Sequence, residues 1–129
     1  MSVWFITGAS RGFGLEITRE ALSRGDSVVA TARHPQAVHD AIPDGGDRLL
    51  AVGLDVGVSE QATRAVQAAI ERFGRIDVLI NNAGRGLVGT VEETSDAEAR
   101  ALFDVNVFGL LAVTRAVLPY MRAARSGLV

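Results

Sequence analysis

Four short apolar runs recur along the chain: Val3-Trp4-Phe5-Ile6, Val28-Val29-Ala30, Leu49-Leu50-Ala51-Val52 and Val78-Leu79-Ile80. Each is too short for a helix and is closed within a few residues by Gly, Asn, Asp or Arg. Apolarity without alternation is how strands buried on both faces read. Longer segments with helical spacing lie between them. The first runs from about Gly12 to Arg24, with Ile17, Ala21 and Leu22 inward and Gly25 as the stop. The second opens at Pro35 and closes before Pro43, where Pro43-Asp44-Gly45-Gly46-Asp47 makes a turn. The third spans Ser59 to Gly74, with Ala62, Val66, Ala69, Ile70 and Phe73 inward. The fourth begins at Ser95, three residues before Glu98, which is capping-box spacing. It carries Leu102, Phe103, Val107, Leu110, Leu111, Val113 and Val117 and then meets Pro119. This alternation predicts right-handed crossovers, hence an α/β fold with a parallel sheet covered by helices. Gly127-Leu128-Val129 reads as the start of a fifth strand that is not completed.

The 129 residues suit one domain, and no composition break divides them. With 48% apolar residues there is ample material for a core. The net charge of −2 implies no polyanion-binding surface, so nucleic acid is not an expected partner. There is no Cys and only His34 and His39, so thiol chemistry is excluded and no metal site is expected. All basic residues are Arg; the absence of Lys removes a Walker-type phosphate loop and Schiff-base chemistry. The longest mostly apolar stretch, Val105 to Val113, is interrupted by Asn106 and is short of a spanning helix. No basic residue precedes the first apolar run, so neither a signal peptide nor a membrane partner is expected, and the cytoplasm is the expected location.

The first strand runs into Thr7-Gly8-Ala9-Ser10-Arg11-Gly12-Phe13-Gly14 and then a helix. Gly8 allows a sharp turn off the strand, Gly12 keeps a side chain away from an approaching pyrophosphate, and Gly14 allows close packing of the helix on the strand. Free amides and the dipole at the helix start favour phosphate charge. Glycines alone are equally compatible with plain turn chemistry. The strand-loop-helix context favours nucleotide binding.

This loop resembles the cofactor signature of the classical short-chain dehydrogenase/reductase family. Asn81-Asn82-Ala83-Gly84 after strand four is similar to the family's second hallmark, Asn106 within Val105-Asn106-Val107-Phe108-Gly109 to its active-site asparagine, and Asp55-Val56 to its adenine-site pair. The resemblance covers the whole chain but only the N-terminal part of a family member. It implies a Rossmann-like, doubly wound sheet in the order 3-2-1-4, a nicotinamide dinucleotide as partner, and Thr7, Gly8, Ser10, Arg11, Gly12, Phe13, Gly14, Arg33, Asp55, Val56, Asn82, Ala83 and Gly84 as cofactor-binding residues.

The second strand ends in Ala30-Thr31-Ala32-Arg33, where a nicotinamide-binding fold normally carries an acid for the ribose 2′-hydroxyl. An arginine there attracts a 2′-phosphate. Arg33 and Arg11 therefore favour NADP over NAD, the plain alternative being two solvated surface arginines. Asp55 is equally a turn acid ahead of the third helix or an acceptor for the adenine amino group, and the resemblance favours adenine. Asn81 and Asn82 can bond the ends of neighbouring strands, while Ala83 and Gly84 allow close approach to a ribose. Asn106, read alone, turns to solvent or bonds its own helix; the resemblance implies that it holds a proton-relaying water.

The family's chemistry uses Ser, Tyr as acid/base and Lys four residues after it. None has a counterpart here: Tyr120 lies before strand five and is followed four residues later by Ala124. Three readings follow, in order: the cofactor-binding portion of a longer oxidoreductase acting on an alcohol or carbonyl substrate and inactive alone; a non-catalytic nucleotide-binding module; and an interaction protein. The resemblance implies a homo-oligomer formed through the fourth helix. Trp4, Phe5 and Phe13 are assigned to the core rather than to an apolar substrate.

Overall fold

The computed structural model describes residues 1–129. The elements are β1 (Val3–Ile6), α1 (Gly12–Ser23), β2 (Ser27–Ala32), α2 (Gln36–Ala41), a 3₁₀ turn (Gly46–Arg48), β3 (Leu49–Gly53), α3 (Ser59–Phe73) and β4 (Val78–Ile80). They are followed by α4 (Asp96–Phe103), a π-helical segment (Asp104–Gly109) and α5 (Leu110–Ala124). All strand pairs are parallel and the order is β3-β2-β1-β4, as expected from the sequence.

The apolar runs do not alternate because both faces of the sheet are covered. Phe5 pairs with Val29 and Leu79, and all three join the core with Ala62, Val66 and Ala69 of α3 and Val113, Val117 and Met121 of α5. Their neighbours Ile6, Val28 and Ala30 point the other way, to Ala21 and Leu22 of α1 and Val38 of α2. Leu128 forms a single parallel bridge to Val78, with Leu79 N donating to its carbonyl at 2.9 Å.

Some expectations from the sequence are corrected. The last helix passes through Pro119 and ends at Ala124. Pro119 lies on an exposed side, where the carbonyl that loses its partner reaches water. Phe13 is 82% exposed on the first turn of α1, because neither core cluster reaches that side of the helix. Trp4, by contrast, packs against the core as expected, half-buried, with its Nε1 donating to Asp26 Oδ2 at 3.1 Å. Of the apolar residues that the fourth segment carries, Val113 and Val117 are buried, Leu102 is half-buried, and Phe103, Val107, Leu110 and Leu111 are exposed. Contact with α3 covers one stripe, and the surplus apolar residues face outward.

Asp96–Ala124 forms one continuous helical stretch of 29 residues, long and apolar enough by length and composition to cross a membrane. The short run around Asn106 does not show this, because the apolar character that suits a membrane is spread over some twenty residues, about the length of a span. Its buried stripe packs on α3, as the core helix of a sheet protein does.

Candidate active site

Parallel strands end at one edge, and the functional loops meet there. Gly8 and Gly12 have φ of 64° and 59°, the left-handed region that glycine adopts without strain. A Cβ on Gly12 would meet nothing within 4 Å, so that side of the loop is open. A Cβ on Gly14 would fall on the Gly8 carbonyl oxygen and within 2.6 Å of Asn82 Nδ2. The close packing at Gly14 is therefore against its own loop and Asn82 rather than strand β1. Arg11 is the N-cap of α1 without a side-chain cap bond, and the first turn carries no acid. The leading amides of α1 are left for an anion.

Thr7 is buried and acts as a tie. Its hydroxyl accepts from Asn82 N at 3.1 Å and Ala83 N at 2.9 Å. Asn82 Nδ2 returns bonds to the carbonyls of Thr7 (3.1 Å) and Gly8 (3.0 Å). Asn81 Nδ2 donates to Thr114 Oγ1 of α5 at 3.1 Å, so only Asn82 links the strand ends.

A cleft of about 440 Å³ opens at this edge. Gly8, Ser10, Arg11, Gly12, Arg33, Asp55, Val56, Asn82, Ala83 and Gly84 line it, as do Ala32, Leu54, Arg85 and Val105. Thr7, Phe13, Gly14 and Asn106 do not; they lie behind or beside the lining. Asp55 lines the cleft, and its Oδ1 accepts from Gly57 N at 2.9 Å as a turn acid ahead of α3. Arg11 and Arg33 are exposed and form no ion pair. Asn106 is exposed, as one reading from the sequence alone had it, but its side chain does not bond its own helix. Its Oδ1 accepts from Arg85 N at 2.9 Å and its Nδ2 donates to Arg85 O at 2.7 Å. Sequence reading overlooked Arg85, although it directly follows the Asn81–Gly84 motif.

A left-handed glycine loop, an uncapped helix start and an open cleft with three arginines fit a dinucleotide: the open side of Gly12 leaves room for a pyrophosphate. The sequence pattern of the short chain dehydrogenase family matches residues 2–129. The chain belongs to the short-chain dehydrogenase family. Its four-stranded sheet is that family's NAD(P)-binding Rossmann fold, and the family binds nicotinamide dinucleotides. Oxidoreductase BOA17 of Botryotinia fuckeliana is 44% identical over 126 residues, which is 97% of this chain and 46% of that protein. A short-chain dehydrogenase from Streptomyces avermitilis superposes with TM-score 0.94 at 45% identity, over 99% of this chain and 48% of that one. A 3-ketoacyl-(acyl-carrier-protein) reductase from Brucella melitensis, solved with NADH, superposes with TM-score 0.90 at 32% identity, over 95% of this chain and 51% of that one. This short-chain dehydrogenase chain thus spans about half the length of the relatives it matches.

Proposed function

We propose that this chain holds NADP(H) across the carboxyl edge of its sheet, as the cofactor-binding portion of an oxidoreductase acting on an alcohol or carbonyl substrate. The observation that carries the NADP reading is Arg33, which lines the cleft where β2 ends, with no carboxylate partner and no acid in its place. The amides opening α1 take the pyrophosphate, Arg33 and Arg11 the 2′-phosphate, and Asp55 the adenine amino group. Asn82 holds the glycine loop in shape, and Ala83 and Gly84 face a ribose. The dinucleotide, when bound, supplies or accepts hydride. Asn106 keeps the loop at Arg85 against the π segment and orders a water beside it.

The 129 residues contain no lysine, so a Tyr-x-x-x-Lys pair is not among them. The chain alone is therefore expected to bind cofactor without turnover. Calorimetric titration with NADPH and NADH tests the reading: tighter binding of NADPH is expected, with no oxidation of NADPH by carbonyl compounds. Equal affinity for both removes the NADP assignment, and no binding of either removes the cofactor role.

A further inference from the structure

The π-helical segment touches both walls of the cleft. On one side Asn106 holds Arg85 by two backbone bonds, and Arg85 Nη2 reaches Ala101 O at 3.2 Å. On the other side Gly109 is buried against Val56. A Cβ on Gly109 would lie 2.7 Å from the Val56 carbonyl oxygen and 2.8 Å from Val56 Cγ2. Arg85 and Val56 both line the cleft, one beyond β4 and the other beyond β3. These are the two outer strands of the sheet, three strand steps apart, or roughly 14 Å. π-helical insertions of this kind concentrate at functional sites.

We infer that Gly109 is a positioning residue for dinucleotide binding: seated on Val56, it sets the depth of the π segment, and so the spacing between the Val56 wall and the wall that Asn106 holds at Arg85. The inference rests on the dinucleotide reading above. A whole dinucleotide spans both walls, whereas its adenosine half touches only one. The nearest obstructing atom is a backbone oxygen, so turning the Val56 side chain alone does not make room and an added methyl moves the segment.

The variant Gly109→Ala tests this with two ligands. The Kd for NADPH is expected to rise about tenfold. The Kd for adenosine 2′,5′-bisphosphate is expected to rise by less than about threefold. Without ligand, hydrogen exchange at the Arg85 amide is expected to speed up about tenfold while that of Phe5 stays unchanged. Deletion of the exposed Phe108, which returns the segment toward α-helical spacing, is expected to give the same split and serves if Gly109→Ala fails to fold. Equal loss of both ligands, or an unchanged Arg85 amide, overturns the inference; so does unfolding of both variants, which makes Gly109 a core residue only. A wild-type chain that binds neither ligand refutes the dinucleotide reading instead, and the exchange comparison still decides whether Gly109 positions Arg85.

Discussion

Thr7 and Asn82 hold each other: the Thr7 hydroxyl accepts from the Asn82 amide at 3.1 Å, and Asn82 Nδ2 donates to the Thr7 carbonyl at 3.1 Å. The pair ties the exit of β1 to the exit of β4. It also fixes the Gly8 carbonyl, on which Gly14 and the start of α1 rest. Each such bond contributes about 0.5–1.5 kcal/mol. Asn82→Ala removes two of them, so a loss of about 1–3 kcal/mol is expected in urea denaturation, together with weaker NADPH binding. Unchanged affinity at reduced stability would show that the clamp serves only the sheet.

Replacing Arg33 by Asp reverses the charge at the end of β2. A charge-assisted contact to phosphate contributes about 1.5–3 kcal/mol, on the order of tenfold or more in affinity. Arg33→Asp is expected to lose NADPH binding by at least that factor and to gain relative preference for NADH. Titrations of both nucleotides with both proteins check it, and a preference that stays put assigns the 2′-phosphate elsewhere, with Arg11 as the next variant.

Asp77 governs part of the acid stability. Burial opposes its ionisation, but bonds from the Arg75 side chain and the Val3 amide outweigh that and hold its pKa below the ordinary carboxylate value. Its contribution is complete above about pH 4, the value in the unfolded chain, and is lost as pH falls through the lowered folded-state value. The stability gap between wild type and Asp77→Asn is therefore expected to be constant from neutral pH down to about 5 and to shrink below about 4. Urea midpoints across that range measure it; a gap that persists at acid pH means the ion pair is not its source.

The exposed Phe103, Val107, Phe108, Leu110 and Leu111 lie along one helical stretch. The outer edge of β4 meets only Leu128, through Leu79 N and Asp77 O. Large exposed apolar patches and bare edges promote association. The chain is expected to self-associate at micromolar concentration, and Phe108→Asp is expected to shift it toward monomer. Light scattering over a dilution series reads this directly. A wild-type monomer with a sharp thermal transition would instead favour a self-contained nucleotide-binding module.

Much of the fold was legible because its signals are local. Val3–Ile6 shows a strand covered on both faces, Ser95 and Glu98 form the expected capping box, and Gly74 ends α3 with a φ of 78°. The same holds for most of the cleft, since a glycine loop between strand and helix carries its own geometry. Phe13 and Pro119 were misread for one reason: whether a residue is covered, or its lost hydrogen bond hydrated, depends on what packs beside it.

The sequence by itself determined the order and type of the elements, the parallel sheet and the resemblance that identifies the cofactor loop. Periodicity, caps and glycines act within a few residues, and crossover handedness does the rest. Only the tertiary structure decided what Asn106 and Gly109 touch. Asn106 reaches Arg85, twenty-one residues away, and Gly109 reaches Val56 on the far side of the cleft. No local pattern encodes those contacts, because they exist only once four parallel strands have brought their carboxyl ends to one edge and a π-helical segment has been laid against it.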